Sequence, residues 1–318
     1  MVQRYILLWL VLSSGVALFW PQAGLAGDPF LVAGRTAINV LIPVVMFCVG
    51  ILLPVDEVRQ LGRRWPTVLI GTAVQYTAMP LLAWLMVRLF RPAPDLATGI
   101  MIVGCVPGAM ASNVLTMIAK GNVSYSVSLT TSATLLSPLV VPATLWLTLG
   151  KEVQYNAVDA VRLLIVQVVV PVLVGHGLTR LCSTRQDSVG KAFRIFSEQG
   201  ASTLANVAIL TIIAVVVALN RDSFGTTGLS VLPALVIINA CGYQVGFLAA
   251  RQAGMSAAMQ RALTLEVGMQ NAGAGASIAL NLFPNSSAAV PCVLYTFGCM
   301  LTGTLLAQYW SRRPVVFQ

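Results

Sequence analysis

Apolar residues fall into ten runs along the chain, at roughly 5–20, 36–53, 65–90, 94–119, 122–149, 157–180, 199–219, 228–250, 256–283 and 288–310. Most reach the ~20 residues that a helix needs to cross a hydrocarbon core. Turn-forming and charged residues separate them: Pro21, Gly27-Asp28-Pro29, Arg91-Pro92-Ala93-Pro94-Asp95, Gly150-Lys151-Glu152 and Asn220-Arg221-Asp222. The longest polar break, 181–198, holds Arg185, Asp187, Lys191, Arg194 and Glu198 and reads as a loop. The pattern predicts an all-α polytopic membrane protein with ten transmembrane helices. The first run has a second reading. Arg4, an apolar stretch and Gly24-Leu25-Ala26 also fit a cleaved signal over residues 1–26.

Composition sharpens this. Of 318 residues, 9% are charged and 57% hydrophobic, against about 25% charged in a soluble domain. That excludes a soluble enzyme and a disordered chain. The net charge of +9 is spread over short loops, where it sets orientation; nucleic-acid binding needs clustered bases, so none is expected. With ten spans, one side holds thirteen basic residues: Arg4, Arg59, Arg63, Arg64, Lys120, Arg180, Arg185, Lys191, Arg194, Arg251, Arg261, Arg312 and Arg313. The other holds six: Arg35, Arg88, Arg91, Lys151, Arg162 and Arg221. The bias places both termini in the cytoplasm, in a multi-pass protein of the cell (inner) membrane. Cys48, Cys105, Cys182, Cys241, Cys292 and Cys299 form no C-x-x-C. They read as apolar packers, with neither a disulfide framework nor a zinc site.

Ten spans divide into two fives, and an odd number per half inverts the second half. The chain therefore reads as one membrane domain, 1–318, with a first repeat over 1–150 and an inverted second repeat over 157–312. Inverted repeats mark secondary transporters, whose binding sites lie at interrupted helices in matching positions of the halves. The fourth run is interrupted by Gly104-Cys105-Val106-Pro107-Gly108, and the ninth by Glu266-Val267-Gly268-Met269-Gln270-Asn271-Ala272-Gly273-Ala274-Gly275.

Nine of the ten acids lie at run ends or in breaks; Glu266 alone sits near the middle of one. An uncompensated charge there costs at least about 3 kcal/mol, and the sequence places no Lys or Arg deep in any run. A bound cation or a proton would compensate it. Gln270 follows at i+4, on the same face of a continuous helix; if the helix unwinds, the carbonyls of Glu266, Val267 and Met269 become oxygen ligands instead. Ser112 and Asn113 follow the first break and open a half-helix, whose amino end favours an anion. Ser126, Thr130 and Thr134 form one helical stripe, either packing glue or ligands. Gln75, midway through the third run, is an interhelical hydrogen bonder or a ligand. Oxygen-only ligands suit a hard cation, and a single carboxylate is thin for Ca²⁺, so Na⁺ fits, with a proton as its rival. One carboxylate balances one Na⁺; a second Na⁺ leaves a positive charge that an anionic substrate would match.

Two strings resemble the bile acid:sodium symporter family, in its bacterial ten-helix branch. One is Gly104-Cys105-Val106-Pro107-Gly108-Ala109-Met110-Ala111-Ser112-Asn113 with Ser126-Val127-Ser128-Leu129-Thr130. The other is Leu265-Glu266-Val267-Gly268-Met269-Gln270-Asn271-Ala272-Gly273. The likeness extends from about Leu41 to Tyr309 and includes Gln75-Tyr76. It implies a core of helices 3–5 and 8–10, a panel of helices 1, 2, 6 and 7, and broken helices 4 and 9 that cross. It implies one sodium site at Ser112, Asn113, Ser126, Thr130 and Glu266. A second is implied at Gln75, Glu266, Val267, Met269 and Gln270. Substrate contacts are implied at Met110, Ala111, Ser112 and Asn271. The family commonly reads Pro-Gly-Gly-Thr-Ala-Ser-Asn at the first break; here Met110 replaces the hydroxyl, so the substrate need not be a bile acid.

The expected function is sodium-coupled symport of an organic anion, a carboxylate or a bile-acid-like molecule, by alternating access. Na⁺ is the coupling ion, no cofactor is expected, and the partners are the anion, sodium and membrane lipid around a monomer. The alternative is a proton-driven or sodium-independent organic-anion exporter on the same fold. An intramembrane enzyme is not expected: the single histidine, His176, has no acid close in sequence, and no nucleophile–base–orienter set can be assembled.

Overall fold

The computed structural model describes residues 6–24, 27–53, 65–149, 156–183, 187–284 and 286–313. Arg4, Arg59, Arg63, Arg64, Lys151 and Arg185, counted above for orientation, lie outside these, as do Leu25 and Ala26 of the candidate cleavage motif. The described elements are helical. They run α1 (Ile6–Phe19), α2 (Pro29–Leu52), α3 (Trp65–Phe90), α4 (Pro94–Cys105), α5 (Ala111–Ile118), α6 (Val123–Leu149) and α7 (Ala157–Leu164). A π turn, Ile165–Val169, leads into α8 (Val170–Ser183); α9 (Ser188–Ile195) passes through a second, Phe196–Gly200, into α10 (Ala201–Leu219). The chain ends with α11 (Leu232–Gln252), α12 (Ala257–Gly268), α13 (Ala272–Leu282) and α14 (Ala289–Ser311).

Among the described residues, seven stretches are long and apolar enough to cross a bilayer: Pro29–Leu52, Trp65–Phe90, Val123–Leu149, Ala157–Cys182, Ala201–Leu219, Leu232–Gln252 and Ala289–Ser311. Shorter apolar helices lie at Leu7–Ala23, Pro94–Cys105 and Ala272–Leu282. This is a polytopic helical membrane protein. Exposed Leu139, Trp146, Leu147, Leu181 and Leu305 fit a surface whose solvent is lipid.

Two boundaries differ from the sequence reading. The second helix begins at Pro29, well before residue 36, because Asp28 caps it: its Oδ1 accepts from the amides of Phe30 (3.0 Å) and Leu31 (3.2 Å). Gly34 then breaks the helical path with φ +48°, a conformation that favours glycine. The polar stretch 187–198, expected as loop, is helical. Asp187 accepts from the Gly190 amide (2.9 Å) and starts α9, which continues into α10. Its charges decorate a helix that is apolar enough on one side to pack, so polarity alone misled the assignment.

Helices α8 and α10 each pack on α2, as does the π turn Ile165–Val169, and α1 packs against α10. Helices α3, α4 and α14 pack around the short helices α5, α12 and α13, with α11 against α12 and α6 against both α5 and α12. The two groups meet where α13 touches α2, α7 and α10, where α6 touches α7 and the π turn after it, and where α14 touches α1 and α10.

Candidate functional site

The fourth and ninth apolar runs are each two helices. Pro107 cannot donate to a helical ladder, and α4 ends just before it, at Cys105. The ninth run breaks after Gly268. The two interruptions lie antiparallel, joined by Ala109 N–H to Met269 O (2.7 Å) and Asn271 N–H to Pro107 O (2.8 Å). Each break thus satisfies groups that the other leaves without a ladder. The carbonyl of Gly268 accepts from Asn239 Nδ2 and Tyr295 Oη, both at 2.8 Å. Because α12 stops at Gly268, Gln270 does not continue the Glu266 face at i+4 as a single helix would place it; it lies in the non-helical link.

Glu266 is 1% exposed. Ser112 Oγ donates to its Oε2 (2.5 Å) and Thr130 Oγ1 to its Oε1 (2.7 Å). Asn113 Oδ1 accepts from Ser126 Oγ (2.8 Å) and Thr130 Oγ1 (3.4 Å). Ser112, Asn113, Ser126, Thr130 and Glu266 therefore form one hydrogen-bonded cluster drawn from α5, α6 and α12. Gly108 permits it: a Cβ there would lie 2.2 Å from Glu266 Oε1.

A second cluster adjoins the first through the backbone. Gln75 Nε2 donates to Gln270 Oε1 (2.9 Å), and Gln270 Nε2 donates to Val267 O (3.1 Å). Gln75 Oε1, in a side chain 2% exposed, has no hydrogen-bond partner among the described residues. The Met269 carbonyl faces the Ala109 amide with one of its two lone pairs. Gln75, Gln270 and Val267 are thus linked in series by hydrogen bonds beside Glu266, while the Met269 carbonyl is bonded to the other break.

A cavity of about 170 Å³ lies against the crossing, between it and α2 and α10. Met110, Ala111 and Asn271 line it, all half-buried, whereas Ser112 is turned inward to Glu266. Asn271 also caps α13, its Oδ1 accepting from the Ala274 amide (3.2 Å). Two half-helix amino ends, of α5 and α13, therefore border the cavity, which suits an anion. Among the described residues its lining carries no charged side chain and is mostly apolar.

Sequence reasoning missed several residues here. Ser202 and Asn206 line the cavity from α10, and their i, i+4 spacing inside an apolar run was a usable signal. Thr296 lines it from α14. Arg261, counted among loop bases, is a correction: it lies in the second turn of α12 and is 8% exposed. Its Nη1 donates to Ala119 O (2.6 Å) and Trp310 O (3.4 Å), and its guanidinium lies over the Trp310 ring. It thus caps the carboxyl ends of α5 and α14, where a cation is favoured, and it does not pair with Glu266.

A helical membrane protein whose two interrupted helices meet at a buried carboxylate beside a cavity has the architecture of a secondary transporter. The sequence profile described as the Sodium Bile acid symporter family matches residues 39–227, and the chain belongs to that family. It is 35% identical to the "Uncharacterized sodium-dependent transporter YocS" of Bacillus subtilis, over 87% of this chain and 83% of that protein. It is 30% identical to the "Probable sodium/metabolite cotransporter BASS1, chloroplastic" of Oryza sativa subsp. japonica, over 96% and 72%. Identity to the human "Ileal sodium/bile acid cotransporter" is 28%, over 74% and 66%. The family is one of transporters rather than enzymes.

Proposed function

We propose that the protein couples the inward movement of sodium to symport of an organic anion by alternating access. The observation that carries this reading is Glu266: a carboxylate buried in the middle of a membrane protein, met by two hydroxyls and by no basic side chain among the described residues. A cation from outside the chain is its natural partner. One Na⁺ would take Ser112, Asn113, Ser126, Thr130 and Glu266. A second would take Gln75, Glu266, Val267, Met269 and Gln270, where the unpartnered Gln75 Oε1 is suited to a cation. The anion would sit in the cavity at Met110, Ala111 and Asn271, close to Ser112, held by half-helix dipoles rather than by a side-chain cation. The relatives' names as sodium-dependent carriers agree with this coupling.

The same reading takes the seven long helices, α1, and the pairs α4–α5 and α12–α13 as ten crossings in two inverted repeats, 1–150 and 157–312. In it, α3–α6 and α11–α14 form the core, while α1, α2, α7–α8 and α9–α10 form the panel that rocks beside it. The basic-residue bias gives cytoplasmic termini in the cell membrane.

The test is a thermal-shift screen of carboxylates in Na⁺ and in K⁺, followed by uptake into proteoliposomes. A ligand selective for the folded state raises its apparent stability. Sodium should stabilise the purified wild type, and a carboxylate should add to this only in sodium. Stabilisation that is equal in Na⁺ and K⁺, with uptake driven by a proton gradient, would reject sodium coupling.

A further inference from the structure

Four uncharged polar side chains outside the Glu266 site meet where α2 and the α7–α8 helix touch α13. Asn39 Oδ1 accepts from Asn281 Nδ2 (2.9 Å) and from Gln167 Nε2 (3.3 Å). Ser277 Oγ donates to Gln167 Oε1 (3.2 Å), and Asn281 Nδ2 donates back to the Ser277 carbonyl (3.0 Å). Asn39 and Gln167 belong to one helix group, Ser277 and Asn281 to the other, so two of these bonds tie the groups together. Gln167 stands at the centre of the π turn Ile165–Val169, and π turns recur where a helix is locally adapted to a function.

The position of this cluster along its helices gives it meaning. On α2 the cavity is lined from Ile42 to Leu52, and Asn39 lies before that stretch. On α13 the cavity is lined at Ala272–Ala274, and Ser277 and Asn281 lie beyond it. At about 1.5 Å per residue, the cluster begins about 5 Å past the cavity lining on both helices. Cluster and cavity therefore follow one another along a single interface. We propose that Asn39, Gln167, Ser277 and Asn281 form a latch that closes the end of this interface remote from the cavity, and that it must part before the cavity can open to that side.

The proposal rests on the alternating-access reading above. Its chemistry suits a contact made and broken in each cycle. Every member is neutral, so parting strands no charge, and water can replace each hydrogen bond. Asn39 is already exposed and Gln167 half-buried, whereas Ser277 is 2% exposed and fixes the partner side.

The test reads accessibility of the cavity from the latch side. Asn206→Cys places a thiol on the cavity wall, and a membrane-impermeant maleimide is applied to intact cells and to inverted vesicles, with the chain lacking Asn206→Cys as background. Adding Asn39→Leu and Gln167→Leu should raise the labelling rate from the latch side by about two- to fivefold, through a larger population of the state open to that side. In a second arm, Asn39→Cys with Asn281→Cys is oxidised. The crosslink should form, suppress labelling from the latch side, and leave labelling from the cavity side unchanged. Unaltered labelling in the leucine variants, or a crosslink that leaves latch-side labelling intact, would overturn the latch, as would failure of the pair to crosslink at all. If the leucine variants do not fold, the crosslink arm decides. Absence of sodium-driven uptake by the wild type would instead remove the symport reading, and the labelling would still settle whether the latch opens.

Discussion

Two carboxylates, at Asp28 and Glu266, show two ways of living in a membrane protein. Asp28 lies at the start of α2, 14% exposed. It caps that helix and pairs with Arg221 Nη1 at 2.6 Å, while Arg221 also donates to the Ala17 carbonyl at the end of α1. Backbone amides, a helix dipole and a guanidinium all compensate it from within the chain. Glu266 lies at the crossing of two broken helices and, among the described residues, receives only the hydroxyls of Ser112 and Thr130. A hydroxyl dipole stabilises a buried charge far less than a full counter-charge does. The first carboxylate is finished by folding and serves architecture. The second has no counter-charge among the described residues, and in the symport reading proposed above a sodium ion supplies it.

The largest expected effect breaks the comparison directly. Glu266→Gln keeps the shape and can still accept from one hydroxyl, but removes the charge. The variant should fold, and stabilisation by Na⁺ should fall at least about 100-fold in concentration dependence, a loss of roughly 2.7 kcal/mol or more. Asp28→Asn, measured alongside, should lower the basal melting temperature and leave the sodium dependence of the remaining shift unchanged. Normal sodium affinity in Glu266→Gln would sink both proposed ion sites together.

The next effect tests how closely the site is built around its carboxylate. A Cβ on Gly108 would meet Glu266 Oε1 at 2.2 Å and its Cδ at 2.7 Å, whereas a Cβ on Gly273 would find only Asn271 Oδ1, at 3.8 Å. Gly108→Ala must push the carboxylate away from Ser112 and Thr130. Overpacking of this kind costs about 1–3 kcal/mol, so sodium affinity should fall by about 10- to 100-fold. Gly273→Ala should leave sodium affinity within about twofold, since its contact is ordinary. Equal effects of the two substitutions on sodium titrations would show that the close approach at Gly108 carries no weight.

How much of this the sequence carried depends on whether the signal was chemical or geometric. Glu266 was legible because a lone acid in an apolar run is costly wherever the fold puts it. The interruptions were legible because Pro107-Gly108 and the glycines after Glu266 cannot continue a helix comfortably. The antiparallel pairing of the breaks, through Ala109 with Met269 and Asn271 with Pro107, was not legible, since backbone hydrogen bonds between distant segments leave no residue signature. Arg261 was misassigned because hydropathy counts its charge and cannot see that the ends of α5 and α14 supply carbonyls for it. Residues 187–198 were read as loop for the same reason: a polar face is not a loop when one capping residue, Asp187, starts a helix. The wall of the cavity on α10 was legible in principle, from Ser202 and Asn206 four apart, but it gains meaning only when α10 is known to face the crossing.

The smallest effect sharpens the comparison from the Asp28 side. Burial alone would raise the Asp28 pKa, but the hydrogen bond from Arg221, the amides of Leu31 and Phe30 and the charge of Arg221 outweigh it and hold the group below its ordinary value. A carboxylate whose pKa is depressed by folding contributes stability in full above its unfolded value of about 3.9. That contribution is lost as the pH falls through the lower folded value. Acidification from about pH 5 towards pH 3 should therefore lower the melting temperature of the wild type, and Asp28→Asn should flatten part of that slope. Arg221→Gln should flatten it too, but less, because the two amides still hold the carboxylate. Sodium should not alter the slope difference between wild type and Asp28→Asn, because Asp28 has its partner within the chain. A slope difference that changed with sodium would mean that the start of α2 senses the Glu266 site, and the two carboxylates could then no longer be treated as independent.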